Sequence, residues 1–181
     1  MGDPEELLAA LRSLRATRFF SNAPVDDALV DELIDVARWT GSARNRQPWR
    51  VVVVRDAAVR AELAGLGAYA AHLGGAPVVL LLAADLDAGG RDAELDLGRF
   101  AQTLMLAAHA RGLGSCPATF FPDENVERAA RLVGLTPPLR ARTAIGLGWP
   151  APASHPRGAR SAIPRGRLPL DAIRLRGPGD G

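Results

Sequence analysis

Two hydrophobic periods alternate along the chain. Asp3-Pro4-Glu5-Glu6 places a cap, a first-turn proline and two acids ahead of "LLAALRSL", predicting a helix that stops near Arg15. After a second start at Asp26-Asp27, Leu29, Leu33 and Val36/Ala37 recur at helical spacing and predict a helix to about Trp39. "WRVVVV" reads as a buried strand, and "DAAVRAELAGLG" as a short helix closing in glycine. "APVVLLLAAD" does not alternate, so it reads as a strand buried on both faces. The longest helix is predicted from about Asp92 to Arg111, with Leu97, Ala101, Leu104 and Ala108 in one stripe widened by Phe100 and Ala107. "SCPATFF" reads as an extended connection, "DENVERAARLVGL" as another capped helix and "RARTAIGLGW" as a third strand. Beyond Trp149 the chain turns to Pro, Arg and Gly. Helices outweigh few strands, the α/β or α+β pattern, and no repeat or linker divides the chain.

Its 181 residues suit one domain with a sizeable core. The longest wholly apolar stretch, Ala76 to Ala84, is too short to span a bilayer. The acidic start lacks the order of a signal peptide, and the single cysteine, Cys116, suits a reducing compartment. A cytoplasmic protein is expected. All 22 cationic side chains are Arg, yet the net charge is only +2. That surplus is too small to argue for nucleic acid, and aromatics at 5% are too sparse for base stacking.

Several apparent motifs lead nowhere. "GLGWPA" satisfies a dinucleotide pattern after a strand, but Pro150, Pro152 and Pro156 forbid the helix that such a site needs. Cys116 beside Pro117 has no His near it in sequence. His72, His109 and His155 show no metal-ligand spacing, so no metal is expected.

Three segments do concentrate anion-binding chemistry. "RATR" sets Arg15 and Arg18 three apart, and "PRGRLP" sets Arg165 and Arg167 two apart in an extended stretch. Guanidinium groups match phosphate oxygens bidentately. Between them "GSARNRQPWR" supplies Ser42, Asn45 and Gln47 as neutral hydrogen-bonding side chains. Such clusters arise easily in an Arg-only chain, and Asn45 and Gln47 could simply tie the loop. The residues alone reach a phosphorylated small molecule and no further.

Taken in order, these segments resemble the nitroreductase family of flavin enzymes. The resemblance rests on "RATRFFSNAPVDDALVDELIDVARWTGSARNRQPWRVVVVRD", "DLGRFAQTLMLAAHARGLGSCPATFF" and "AIGLGWPA…PRGRLPLDAI", and spans nearly the whole chain. It implies an α+β nitroreductase-like fold, with a small central mixed or antiparallel sheet flanked by helices. Residues 1–181 would form one FMN-binding domain in an intertwined homodimer, about 151–181 reaching the partner. It also implies FMN at the dimer interface, NADH or NADPH as reductant, and an electron-poor acceptor such as a nitroaromatic or quinone. The flavin carries the hydride, so no side chain is expected to be catalytic.

By that resemblance the turn Arg15, Ala16, Thr17 and Arg18 contacts the flavin, with Arg18 near its N1/C2-carbonyl edge. Arg165 and Arg167 hold the phosphate. Ser42, Asn45 and Gln47 serve the ribityl chain, ring edge or loop, and Pro117, Ala118 and Thr119 lie along the ring, the Thr119 N–H near N5. Arg44, Tyr69 and Phe120 are expected at the substrate, with Arg44 favouring an anionic substrate or the reductant's phosphate. Leu14 stands where many members carry Arg, and Ala16 where Ser or Thr is common. The alternatives are a specialised reaction (dehalogenation, flavin cleavage or azoline oxidation) and a non-catalytic flavin-binding protein.

Overall fold

The computed structural model describes residues 3–152, 166–175 and 177. Four strands, β1 (Trp49–Val54), β2 (Val78–Asp85), β3 (Gly114–Thr119) and β4 (Leu139–Gly148), form one antiparallel sheet in the order β1-β2-β4-β3. Every residue of β2 from Val78 to Ala84 is buried, which is why its sequence does not alternate. The helices are α1 (Pro4–Ser13), α2 (Asp27–Ala37), α3 (Ala57–Ala64), α4 (His72–Gly75), α5 (Leu86–Gly89), α6 (Ala93–Ala110), α7 (Asp123–Leu132) and α8 (Leu170–Ile173).

Two apolar clusters sandwich the sheet. On one face Val30 and Leu33 of α2 and Leu97, Phe100 and Leu104 of α6 cover Leu80, Leu82, Ile145 and Leu147, and Phe100 stacks on Trp49 at 5.1 Å. On the other, Leu63, Leu73 and Val126 of α3, α4 and α7 cover Leu81, Ala144 and Phe120. Each such large side chain, taken wholly from water, contributes about 1.5–3 kcal/mol before ordering entropy. α1 lies outside these layers, with no buried residue.

The local chemistry mostly follows the sequence. Asp3 accepts from the Glu5 N–H and Asp56 from those of Ala58 and Val59, fixing the starts of α1 and α3. Three expectations need correction. α2 ends at Ala37 because the Trp39 and Thr40 N–H groups turn back to Val36 and Ala37, tightening the last turn. α7 has Pro122 at its N-cap and no side-chain cap, only the acids Asp123 and Glu124 in its first turn.

"SCPATFF" is not a mere connection: Gly114–Thr119 is an edge strand, making four strands rather than three. Thr17 donates its N–H to the Ser115 carbonyl and Phe120 donates to Arg142, both at 2.9 Å. Alternation then directs Cys116, Ala118 and Phe120 towards β4 and Ser115, Pro117 and Thr119 towards the open edge. Proline at an outward position removes no ladder bond. The glycines of "GLGWPA" end β4 and open no helix. A Cβ at Gly148 would lie 2.6 Å from Pro77, so close packing explains that glycine.

Candidate functional site

The turn after α1 docks on the open edge of β3. Ala16 bridges Ser115, and Thr17 packs so tightly on Gly114 that a Cβ there would lie 2.5 Å from Thr17 Cγ2. Arg15 folds back, its Nη1 donating to the Arg12 and Leu14 carbonyls at 2.6 and 2.8 Å, so it closes the end of α1. Arg18 is exposed and makes no hydrogen bond or ion pair among the described residues. Burial pushes the neighbouring Cys116 thiol above its ordinary range, and the Arg18 charge partly opposes that. Beside this cation Pro117 and Thr119 are exposed and Ala118 is buried. The Thr119 N–H points off the edge of the sheet, as the ladder's alternation requires.

The segment 41–50 is tied down elsewhere. Ser42 Oγ accepts from the Gln47 N–H at 2.9 Å, and Gln47 Nε2 donates to Asn45 Oδ1 at 3.1 Å. Asp96 of α6, 2% exposed, accepts the Ala43 N–H at 2.9 Å with Oδ2, while its Oδ1 lies 3.5 Å from Arg99. These ties hold Arg44, Asn45 and Gln47 at φ of +53°, +55° and +48°, the left-handed region that side chains usually avoid. Asp96 escapes a reading of the sequence because its partner is 53 positions away.

The two clusters do not meet within one chain. The turn 15–18 lies along the β3 edge and the junction leads into β1 at the opposite edge, about four strand spacings or 19 Å away. Between them β2 and β4 are roofed by α2 and α6, leaving Leu80, Leu82, Ile145 and Leu147 unexposed.

The remaining candidates divide as follows. Tyr69 is 79% exposed, and its carbonyl lies 3.1 Å from His72 Nδ1, whose Nε2 is 3.0 Å from the Cys116 carbonyl. His72, which the sequence marks only as a non-ligand, thus ties the Tyr69 loop to β3. Phe120 does not suit a substrate role: it is 0% exposed in the core under the sheet, and the exposed ring is Phe121. Arg167 is exposed, and its Nη1 donates to the Gly166 carbonyl at 2.9 Å. Arg165 lies outside the described residues. Among the described residues no cluster of His, Cys, Asp or Glu could hold a metal ion, and no helix is long and apolar enough to cross a membrane.

The sequence model of the nitroreductase family matches residues 11–71 and 65–149, which include both clusters. The chain belongs to the nitroreductase family. Its relatives include an NADH dehydrogenase from Thermus thermophilus, 30% identical over 92% of this chain and 93% of that one. Another is a 5,6-dimethylbenzimidazole synthase from Rhodobacter capsulatus, 32% identical over 80% and 69%. A solved nitroreductase in complex with FMN, from Desulfovibrio desulfuricans, is 30% identical, with TM-score 0.75 over 98% of this chain and 99% of that one. This nitroreductase-family chain therefore has the expected α+β fold. The names of its relatives span more than one reaction, so the acceptor does not follow from kinship.

The β3 edge fits a flavin on chemical grounds. It offers exposed positions at Pro117 and Thr119, an outward backbone N–H and a cation with no hydrogen bond or ion pair among the described residues. A ring that gains negative charge on reduction needs such a set. Leu14 offers no guanidinium, and Arg15 spends its own hydrogen bonds on the end of α1.

Proposed function

We propose that the protein is an FMN-dependent NAD(P)H oxidoreductase, acting as a homodimer on an electron-poor small molecule of the nitroaromatic or quinone type. The observation that carries this reading is the free Arg18 guanidinium beside the outward Thr119 N–H and the exposed Pro117. Bound FMN would supply the hydride-accepting and hydride-donating chemistry.

The chain's own residues hold and tune it. Arg18 would set a positive charge beside the ring that gains electrons, and the Thr119 N–H would be its hydrogen-bond donor. Arg165 and Arg167 would hold the phosphate, with about 1.5–3 kcal/mol available per charge-assisted bond. Ser42, Asn45 and Gln47 come from the partner's copy of the junction, since one chain keeps its two clusters apart.

Exposed apolar side chains support the dimer. Leu7, Leu8 and Leu11 of α1, Trp39 and Leu95 all lie open, as do Leu168, Leu170, Ile173 and Leu175 of the tail. Such exposed apolar side chains are what a dimer interface would cover. The reductant's name in the Thermus relative, NADH dehydrogenase, supports a nicotinamide donor.

The test is the visible spectrum of the purified, dialysed protein, with mass analysis of what heat denaturation releases. A yellow protein that releases FMN at about one per chain and oxidises NADH or NADPH with an added quinone fits the reading. A colourless protein that takes up no added FMN contradicts it.

A further inference from the structure

Arg44 is held at positive φ by ties that make no use of its own side chain. Its φ of +53° suits Gly or Asn, yet it carries a long cationic side chain. The turn around it is fixed by Ser42 Oγ, by Asp96 and by the Gln47–Asn45 pair, and none of these bonds involves the Arg44 guanidinium. That guanidinium is exposed and makes no hydrogen bond or ion pair among the described residues.

Its neighbours leave positive charge uncompensated. Arg46 Nη1 donates to the Gly89 carbonyl, a neutral group. Arg99, which a Cβ on Gly41 would approach to 3.3 Å, faces Asp96. Asp96 shares its charge between Arg99 and the Ala43 N–H. Arg50 is matched separately by Asp85. Asp96 thus answers to Arg99 and the Ala43 N–H, and no carboxylate pairs with Arg44 or Arg46 among the described residues.

We propose that Arg44 binds an oxyanion on the molecule that exchanges electrons with the flavin, so that the enzyme prefers acceptors bearing a carboxylate. The inference rests on the proposed flavin site, which puts the junction beside the partner's flavin. A planar fork of donors matches a carboxylate bidentately, and a rigid turn limits the entropy lost in binding. The same chemistry suits a phosphate of the reductant, and the experiment separates the two sources.

The protein is loaded with FMN, and Arg44→Gln, Arg44→Lys and Arg131→Gln are compared with wild type. Arg131, on α7 against Glu127, controls for the lost charge away from the junction. The readouts are kcat/KM for 4-nitrobenzoate against 4-nitrobenzamide, kcat/KM for NADPH and NADH, and the Kd of benzoate from its perturbation of the flavin spectrum. The expected result is that Arg44→Gln lowers the carboxylate-to-amide ratio and the benzoate affinity by about tenfold to a hundredfold, the effect of one charge-assisted bond. Arg44→Lys retains part of the preference, and Arg131→Gln retains all of it. An unchanged ratio and Kd in Arg44→Gln overturn the proposal. So does a dimer that dissociates with selectivity unchanged, which would make Arg44 an interface residue. A loss confined to the reductants assigns the oxyanion to their phosphates and overturns the acceptor preference. Wild-type protein that holds no FMN fails the proposed function instead, before Arg44 is tested.

Discussion

Ala43 donates its N–H to a carboxylate that is 2% exposed, and the turn that follows holds three side chains at positive φ. Asp96→Ala leaves that N–H and the Arg99 guanidinium without their acceptor. It is expected to destabilise the protein by about 1–3 kcal/mol in urea unfolding, with Asp96→Asn less harmful because one oxygen remains. At Arg44 the strain is local, so Arg44→Gly should be more stable than Arg44→Ala by about 1 kcal/mol in the same measurement. Cys116 carries a pH dependence. Its thiol is raised above 9.0 by burial, so the folded chain favours the protonated form. That contribution is fully present below the ordinary thiol value and is lost as pH rises through the shifted one. The urea midpoint should therefore fall above pH 9.0, and Cys116→Ala should flatten the fall. At this scale the sequence shows the polar density of Ser42, Asn45 and Gln47 but not what fixes it. Asp96 stands between Glu94 and Arg99 like any acid of a helix's first turns, and only the fold brings it to Ala43.

β3 was the element hardest to see from the sequence. Its Cys-Pro-Ala core carries no β-branched run, and proline argues against a central strand. The edge position and the outward phase of Pro117 resolve the conflict, and neither is written in local sequence. The same phase decides Phe120, which follows the buried positions Cys116 and Ala118 inward, whereas its neighbour Phe121 is exposed. β1 and β2, by contrast, are plain in their valine and leucine runs. Docking of the Arg15–Arg18 turn on β3 depends on the missing side chain of Gly114. Gly114→Ala should push Thr17 away and weaken FMN retention at least tenfold in equilibrium dialysis. The double variant with Thr17→Gly, which removes the clashing atoms, should recover most of that loss.

At the scale of the whole molecule, strand order separates the turn of Arg18 from the junction of Ser42, and the roof of α2 and α6 keeps them apart. The sequence brings these segments together only through resemblance; spacing along the chain holds no sign that they lie at opposite edges. Two copies related by a twofold axis would present one cluster to the other twice, giving two equivalent sites. The direct test pairs a chain defective at the turn, Gly114→Ala, with a chain defective at the junction, Asp96→Ala with Ser42→Ala, in heterodimers purified through two different tags. One site in such a dimer inherits both defects and the other inherits none. The proposed divided site predicts about one FMN retained per heterodimer, against little in either parent homodimer. Heterodimers as poor in flavin as both parents would contradict it, because each site would then be built from a single chain.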